Sequence, residues 1–451
     1  MSPHAVVSGA PGGQDVWAHG IGGAKDLPIS PGLAIAGAVA ALVVSFTVLA
    51  VAWREPRWDE RTSGRPAPAW LSRIVDSHGW AIVLRVLGVL AAAYVALAAV
   101  FGKDLLTNPV FGIFYVWWWI GLVPLSLLLG PVWRAISPAR TVNWAFAKVS
   151  GSDPDQGLYD YPDWLGTWPA ALGLYAFVWM ELVYPHGTEL GPVRLWLAAY
   201  AAVMLVGGAV FGNTFYERAD PFEVYSSLVA KLSVWGRRDD QLVVRSPLAN
   251  LDTTVPRAGL VAVLAVLFGS TGFDSFREST RWLQVIQNTS TSPYVLNNLA
   301  LLGFCVGVGV IFTVGTMTTG VAPGTDRWQL PRQFAHSIVP IIVGYVFAHY
   351  LTYLVEYGQQ VLILASDPLS RGDNWFGTGN LQVNYWLSYH PTFLAVSKVA
   401  FVVGGHVLGV IAAHDRAVRL LPRRHQLTGQ LPLLAAMIIF TVGGLYLLFA
   451  A

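Results

Sequence analysis

The chain of 451 residues is 54% hydrophobic and only 12% charged, about half the charged share of a soluble globular domain. A formal charge of +2 is too small to mark a nucleic-acid partner, and a single cysteine, Cys305, excludes a disulfide framework or a thiolate metal site within one chain. Nineteen tryptophans and 17 tyrosines fit a bilayer protein, where amphipathic rings collect at the two interfaces.

Residues 1–31 hold one lysine, many glycines and no short apolar core, so they read as an attached outer segment rather than a cleaved signal. Ten runs long enough to cross a hydrocarbon layer follow: 32–53, 80–101, 109–130, 164–185, 195–212, 258–273, 296–317, 334–357, 393–413 and 431–450. The sixth is short and is expected to extend past Asp274; the eighth is expected to continue through 361–364. Backbone amides in lipid need internal partners, so the expected fold is all-α, a polytopic integral membrane bundle of about ten transmembrane helices.

Basic residues orient it. With the N-terminus outside, 20 Lys and Arg fall in the inner loops, Arg54, Arg61, Arg140, Arg245, Arg416, Arg423 and Arg424 among them. Only Lys25, Lys103, Arg194, Arg277, Arg281 and Arg371 fall outside, and Arg85 and Lys398 stay in the membrane. That bias is the positive-inside rule, and it predicts a multi-pass protein of the plasma membrane.

The organisation reads as the outer segment 1–31, a first half over 32–257 and a second half over 258–451. Two inner segments of the first half look alike. Ser137-Pro138 and Asp220-Pro221 each pair an N-cap residue with proline at the first helical position. Both end on Ala-Lys-x-Ser at the same offset of 83, and 4 of 14 aligned positions are identical. They are predicted to be helices in the inner headgroup layer, either as ordinary interfacial helices or as marks of a parallel duplication.

Polar residues inside the spans carry the functional expectation. Tyr345, His349, Thr352, Glu356 and Gln359 recur at helical spacing and form one stripe on the eighth span. Ionisable groups in a bilayer face a bundle interior or a wet cavity, so the stripe points to an outward-facing site. Glu181 and Lys398 fall at similar depth and His406 deeper, giving Glu181, Tyr345, His349, Thr352, Glu356, Lys398 and His406 as a substrate or proton pathway. Lys398 alternatively snorkels to the headgroups, and close helix packing at Gly404, Gly405 and Gly409 alternatively explains the setting of His406. His349 and Glu356, seven apart, are candidate ligands of a divalent metal with Asp274 as a third; Glu181 and His19 are further candidates. His414 and Asp415 read as solvated. Gly303 and Gly307 form a GxxxG pair that predicts tight helix packing. Phosphate loops and the GxSxG elbow are missing. The aromatic, turn-rich stretch 358–392 is expected to fold as an outer cap, shielding the site or docking a partner subunit.

Ala18-His19-Gly20-Ile21-Gly22-Gly23, Glu181-Leu182-Val183-Tyr184-Pro185, Asp220-Pro221, Ala348-His349-Tyr350 and Gly405-His406-Val407 together resemble a group of bacterial, chiefly actinobacterial, polytopic membrane proteins labelled fenitrothion hydrolase. The resemblance spans most of the chain and implies hydrolysis of an organophosphate triester; it assigns no catalytic residue. Three functions stay open: transport of a small molecule or ion, a membrane-embedded and metal-dependent hydrolase, and a non-catalytic subunit.

Overall fold

Prolines open seven of the helices. Ser30, Asn108, Ser137, Asp220, Ser246, Ser292 and His390 each precede a proline at the first helical position, where a missing N–H costs nothing. The computed structural model describes residues 24–59, 62–321, 324, 326–422, 425–426 and 428–449. His19 and the rest of the Ala18-to-Gly23 motif lie outside the described residues, as do Arg61, Arg423 and Arg424.

Apart from the short helices Ala69–Val75 and Thr280–Gln287, the helices in chain order are α1 (Pro31–Ala52), α2 (His78–Phe101), α3 (Pro109–Ile120), α4 (Leu122–Leu129), α5 (Val132–Ile136), α6 (Pro138–Ser150), α7 (Trp168–Leu182) and α8 (Leu190–Phe211). They continue with α9 (Asn213–Ala219), α10 (Pro221–Ala230), α11 (Pro247–Asp252), α12 (Leu260–Arg277), α13 (Pro293–Met317), α14 (Arg327–Leu364), α15 (Pro391–Leu420) and α16 (Thr428–Phe449). Among the described residues, eight of these (α1, α2, α8 and α12 to α16) are long and apolar enough to cross a membrane. The ten predicted runs are all helical, but two depart from a simple span. The third is broken at Gly121, where α3 and α4 meet at 42°, and Ile113–Ile120 within it is π-helical. The fourth, α7, has only 15 residues, about 22 Å, against a hydrocarbon layer of about 30 Å. As expected, α12 runs past Asp274 and α14 continues to Leu364.

Basic side chains gather at one end of the bundle. The end of α1 meets the end of α15 there: Asp415 accepts from Trp53 Nε1 at 3.0 Å and from the Arg57 amide at 2.7 Å. His414 lies 2.9 Å from the Trp53 carbonyl and 3.1 Å from Gln430. Arg416 and Arg419 both grip Asp252 at 2.9 Å. His414 and Asp415 are therefore buried, each 1% exposed, and not solvated, because the α1–α15 contact closes over them. A small antiparallel sheet lies beside them, ordered β1 (Arg65–Pro66), β3 (Gln241–Val244), β2 (Trp235–Arg238). The far end carries the turn after α12, the start of α15 and the loop before it.

The two look-alike segments share a backbone path. Gly130 (φ 87°, ψ −156°) and Gly212 (φ 64°, ψ −159°) end α4 and α8 in a conformation that essentially only glycine adopts. Each reverses the chain into a short helix, α5 or α9, and then an N-capped proline opens α6 or α10. Ser137 Oγ accepts from the Arg140 amide, and Asp220 accepts from the Phe222 and Glu223 amides. The expectation of surface helices holds only for α6, which is amphipathic and half-buried. From Pro221 to Ser226 every residue of α10 is buried, because the reversal lays α9 back along α8 and wedges α10 between α4, α5 and α7.

The stretch 358–392 is folded. Ser366 Oγ accepts from the Phe376 and Thr378 amides, and Asp367 accepts from the Arg371 and Gly372 amides. Those amides hold the Asp367 carboxyl below its usual range although its burial opposes them. Glu356 ties the loop down through the Ser388 amide at 2.8 Å and Ser388 Oγ at 2.5 Å. Glu356→Ala is expected to raise protease cleavage within 366–390 about tenfold, the loss of a charged hydrogen bond being about 1.5–3 kcal/mol, with the rest of the bundle still resistant. Unchanged limited proteolysis would show that the tie does not hold the loop.

Candidate functional site

α12 is buried along almost its whole length, so its polar residues must find partners inside the protein. Its last turns supply Asp274, Ser275 and Arg277; α14 supplies Tyr345, His349 and Tyr350. Asp274 is the hub. Its Oδ2 lies 2.9 Å from His349 Nε2 and accepts from Tyr350 OH at 2.8 Å, and its Oδ1 accepts from Arg277 Nε at 3.0 Å. Ser275 Oγ lies 3.0 Å from His349 Nδ1 and 3.0 Å from Tyr345 OH. With Asp274 ionised and His349 neutral, the network has one consistent direction. Tyr345 donates to Ser275, Ser275 to His349 Nδ1, and His349 Nε2–H to Asp274. The result is a continuous chain of exchangeable protons about four side chains long.

Glu181, at the end of α7, lies within electrostatic reach of Asp274 and Arg277. Its Oε2 is buried with no hydrogen-bond partner among the described residues. Tyr115, Tyr225, Tyr350 and Tyr353 all have Glu181 as an electrostatic neighbour, so tyrosines from three helices, α3, α10 and α14, surround it. Arg277 also donates to the Leu182 carbonyl at 2.7 Å, which fastens α7 to α12. Its side chain remains 28% exposed.

The predicted stripe on α14 splits. Tyr345 and His349 enter the chain, while Thr352 is buried outside it. Glu356 turns to the outer loop. The physical reason is the π-helical stretch Tyr353–Tyr357: its wider turn rotates everything beyond it, so residues seven apart no longer share a face. The proposed His349, Glu356 and Asp274 ligand set therefore fails. His349 and Asp274 meet, Glu356 is bound to Ser388, and no group of three His, Cys, Asp or Glu among the described residues is placed to hold a metal ion.

Two further candidates stand apart. Lys398 is 4% exposed, with Glu278 and Asp26 as its charged neighbours. His406 is fully buried; its Nδ1 lies 2.8 Å from the Val402 carbonyl, and its Nε2 has no partner among the described residues. Close packing does explain its neighbours, since a Cβ on Gly405 or Gly409 would strike backbone carbonyls of α14. Gly404 faces open space.

Sequence reasoning missed a second network. Arg140 makes a bidentate ion pair with Glu223, at 2.6 and 2.7 Å, linking the look-alike segments at equivalent positions. Asp220 accepts from Trp133 Nε1 and Tyr200 OH, both at 3.0 Å, beside its own capping bonds. Burial, and next the Glu223 carboxylate, push the Asp220 carboxyl up to about 7 against those donors. Its one sequence signal was the shared offset of 83, which joins Arg140 to Glu223 as it joins Ser137 to Asp220. Ser275 and Arg277 were missed because the polar spacing was followed along the eighth span and not along the end of the sixth, where Thr271, Ser275 and Glu278 and Asp274, Arg277 and Arg281 also recur at helical intervals. Compared with known protein families, curated proteins and solved structures, the chain matches none.

Proposed function

We propose that this is a ten-pass plasma-membrane protein, N-terminus outside, that moves a small molecule or ion across the bilayer in exchange for protons. The observation that carries this reading is the buried chain Tyr345–Ser275–His349–Asp274 lying beside Glu181, whose Oε2 has no partner among the described residues. A buried carboxylate oxygen with no partner among the described residues, ringed by tyrosines, is a place for a transferred proton to sit. The adjacent hydrogen-bonded chain offers a way to pass it on. The basic end lies inside on this reading, and the shared backbone path at Gly130 and Gly212 supports a duplicated half. The test is reconstitution into liposomes with a pH-sensitive dye inside. An imposed pH gradient should drive uptake of a substrate, and uptake should collapse with a protonophore. Gradient-independent behaviour of folded protein across ionic and small organic substrates counts against transport.

A second reading is a membrane-embedded hydrolase, as the resemblance to the fenitrothion hydrolase group implies. The order Ser275–His349–Asp274 favours it, since a hydroxyl on one imidazole nitrogen and a carboxylate on the other is the arrangement that activates a serine nucleophile. On this reading His349 Nδ1 takes the Ser275 proton as Oγ attacks the phosphorus, the P–O bond to the leaving aryloxide breaks and that proton passes to it. Water activated by the same imidazole then releases the phosphorylated serine, with Tyr345 OH bonded to Oγ throughout as a donor beside the reacting centre. Ser275→Ala should then remove labelling by a fluorophosphonate and cut hydrolysis of a chromogenic phosphotriester by at least about 10³-fold. Wild-type protein that ignores both reagents sinks the hydrolase.

A further inference from the structure

Glu181, beside the Asp274 chain, carries a charge with no counter-charge of its own. The charged groups within its electrostatic reach are Asp274 and Arg277, and those two are matched to each other at 3.0 Å. The other groups facing it are Tyr115 of α3, Tyr225 of α10, and Tyr350 and Tyr353 of α14. Two of these direct their hydroxyl protons elsewhere: Tyr115 donates to the Gly187 carbonyl at 2.6 Å and Tyr350 to Asp274 at 2.8 Å. Arg277 turns its second donor to the Leu182 carbonyl. Neither oxygen of Glu181 has a hydrogen-bond or ion-pair partner among the described residues. Oε2 is closed off from solvent but Oε1 is not, and the residue as a whole is half-buried, so a ligand can reach it.

We propose that Glu181 binds the ammonium group of a small organic amine, and that this cation and the transferred proton take turns on the one carboxylate. The inference rests on the transport reading and deepens it by naming the substrate class. Three features select that class. An anion would meet the unbalanced charge and be repelled. A divalent metal ion needs several ligands, and no group of three His, Cys, Asp or Glu among the described residues is placed to supply them. An alkylammonium or arylammonium ion brings the charge and the N–H donors that the carboxylate lacks, and its hydrocarbon part suits the ring of tyrosines. A protonated Glu181 has no charge to offer, so the cation binds only once the proton has left. That mutual exclusion couples the two, and it is reciprocal.

Benzylammonium chloride tests it, by calorimetric titration of full-length protein in nanodiscs with lipid-only nanodiscs as the blank. Saturable binding is expected near neutral pH, with benzyl alcohol and benzoate, of similar shape but neutral and negative, giving none. Affinity should fall on acidification, by up to about tenfold per pH unit, as one proton competes with one cation. Glu181→Gln should weaken binding about 10- to 100-fold, the worth of a charged hydrogen bond, and leave what remains flat in pH. That flatness assigns the pH dependence to Glu181 and not to Asp274, the other acid in reach. Glu181→Asp keeps the charge and should keep part of the affinity, which serves where the glutamine variant does not fold. Ser275→Ala breaks the proton chain without altering a charge, so benzylammonium should still bind in it where flux is lost. Binding by wild type with no benzylammonium flux in liposomes upholds the amine site and counts against transport alone. Absence of saturable benzylammonium binding, equal binding of benzyl alcohol, or undiminished affinity in folded Glu181→Gln overturns the inference, even where a pH gradient drives uptake of another substrate.

Discussion

Asp274→Asn is expected to lower proton-coupled flux by about two orders of magnitude or more, the usual contribution of a positioned acid–base group. An asparagine has one acceptor oxygen where the carboxylate accepts from three donors, Arg277, His349 and Tyr350. Its amide nitrogen is a donor that would face either Arg277, leaving that guanidinium without its charged partner, or the His349–Tyr350 pair, breaking the direction of the proton chain. Asp274→Glu, which keeps the charge and the acceptors, should restore part of the flux. Measurement is by internal pH dye in liposomes, with protein integrity checked by size-exclusion chromatography. Full flux from the asparagine variant removes Asp274 from the mechanism.

Glu223→Ala should cost about 3–5 kcal/mol of stability, because it strands the buried Arg140 guanidinium. Arg140 is only 10% exposed in its side chain and Glu223 1%, so water cannot replace the lost partner. Arg140→Met combined with Glu223→Leu removes both charges and should recover most of that loss, since apolar replacement of a buried pair is often neutral. Thermal unfolding in detergent, followed for wild type, both single variants and the double, gives the coupling directly. A double variant as unstable as the sum of the singles would show that the two residues do not act as a pair. The pair matters to the architecture because it bolts together two reversals that begin at Gly130 and Gly212 and share a backbone path.

Much of the helical framework is written in local chemistry. The apolar runs, the N-cap and proline pairs at Ser137-Pro138 and Asp220-Pro221, and the expected extensions of α12 and α14 all follow from composition and spacing. His349, Tyr345 and Glu181 were legible as site residues because ionisable groups among apolar neighbours demand a reason. What misled was extrapolating one helical period through a whole span. A π-helical turn is worth less than a propensity difference in sequence, yet it moves Glu356 off the face of His349 and dissolves the metal set. Gly303 and Gly307 show the same limit, since the motif that closes two helices also leaves a hollow when no helix comes to meet it.

The sequence by itself determined a helical chain with long apolar segments, a skewed distribution of basic residues and a few ionisable groups among apolar neighbours. It did so because hydrophobic length, charge bias and capping act over neighbours in the chain. Only the tertiary structure decided which polar residues meet. It joined Asp274 to His349 and Arg140 to Glu223, buried α10, and left the α13 glycines bare. Those outcomes depend on where helices bend, reverse and approach one another, and such distances are set by packing between segments far apart in sequence.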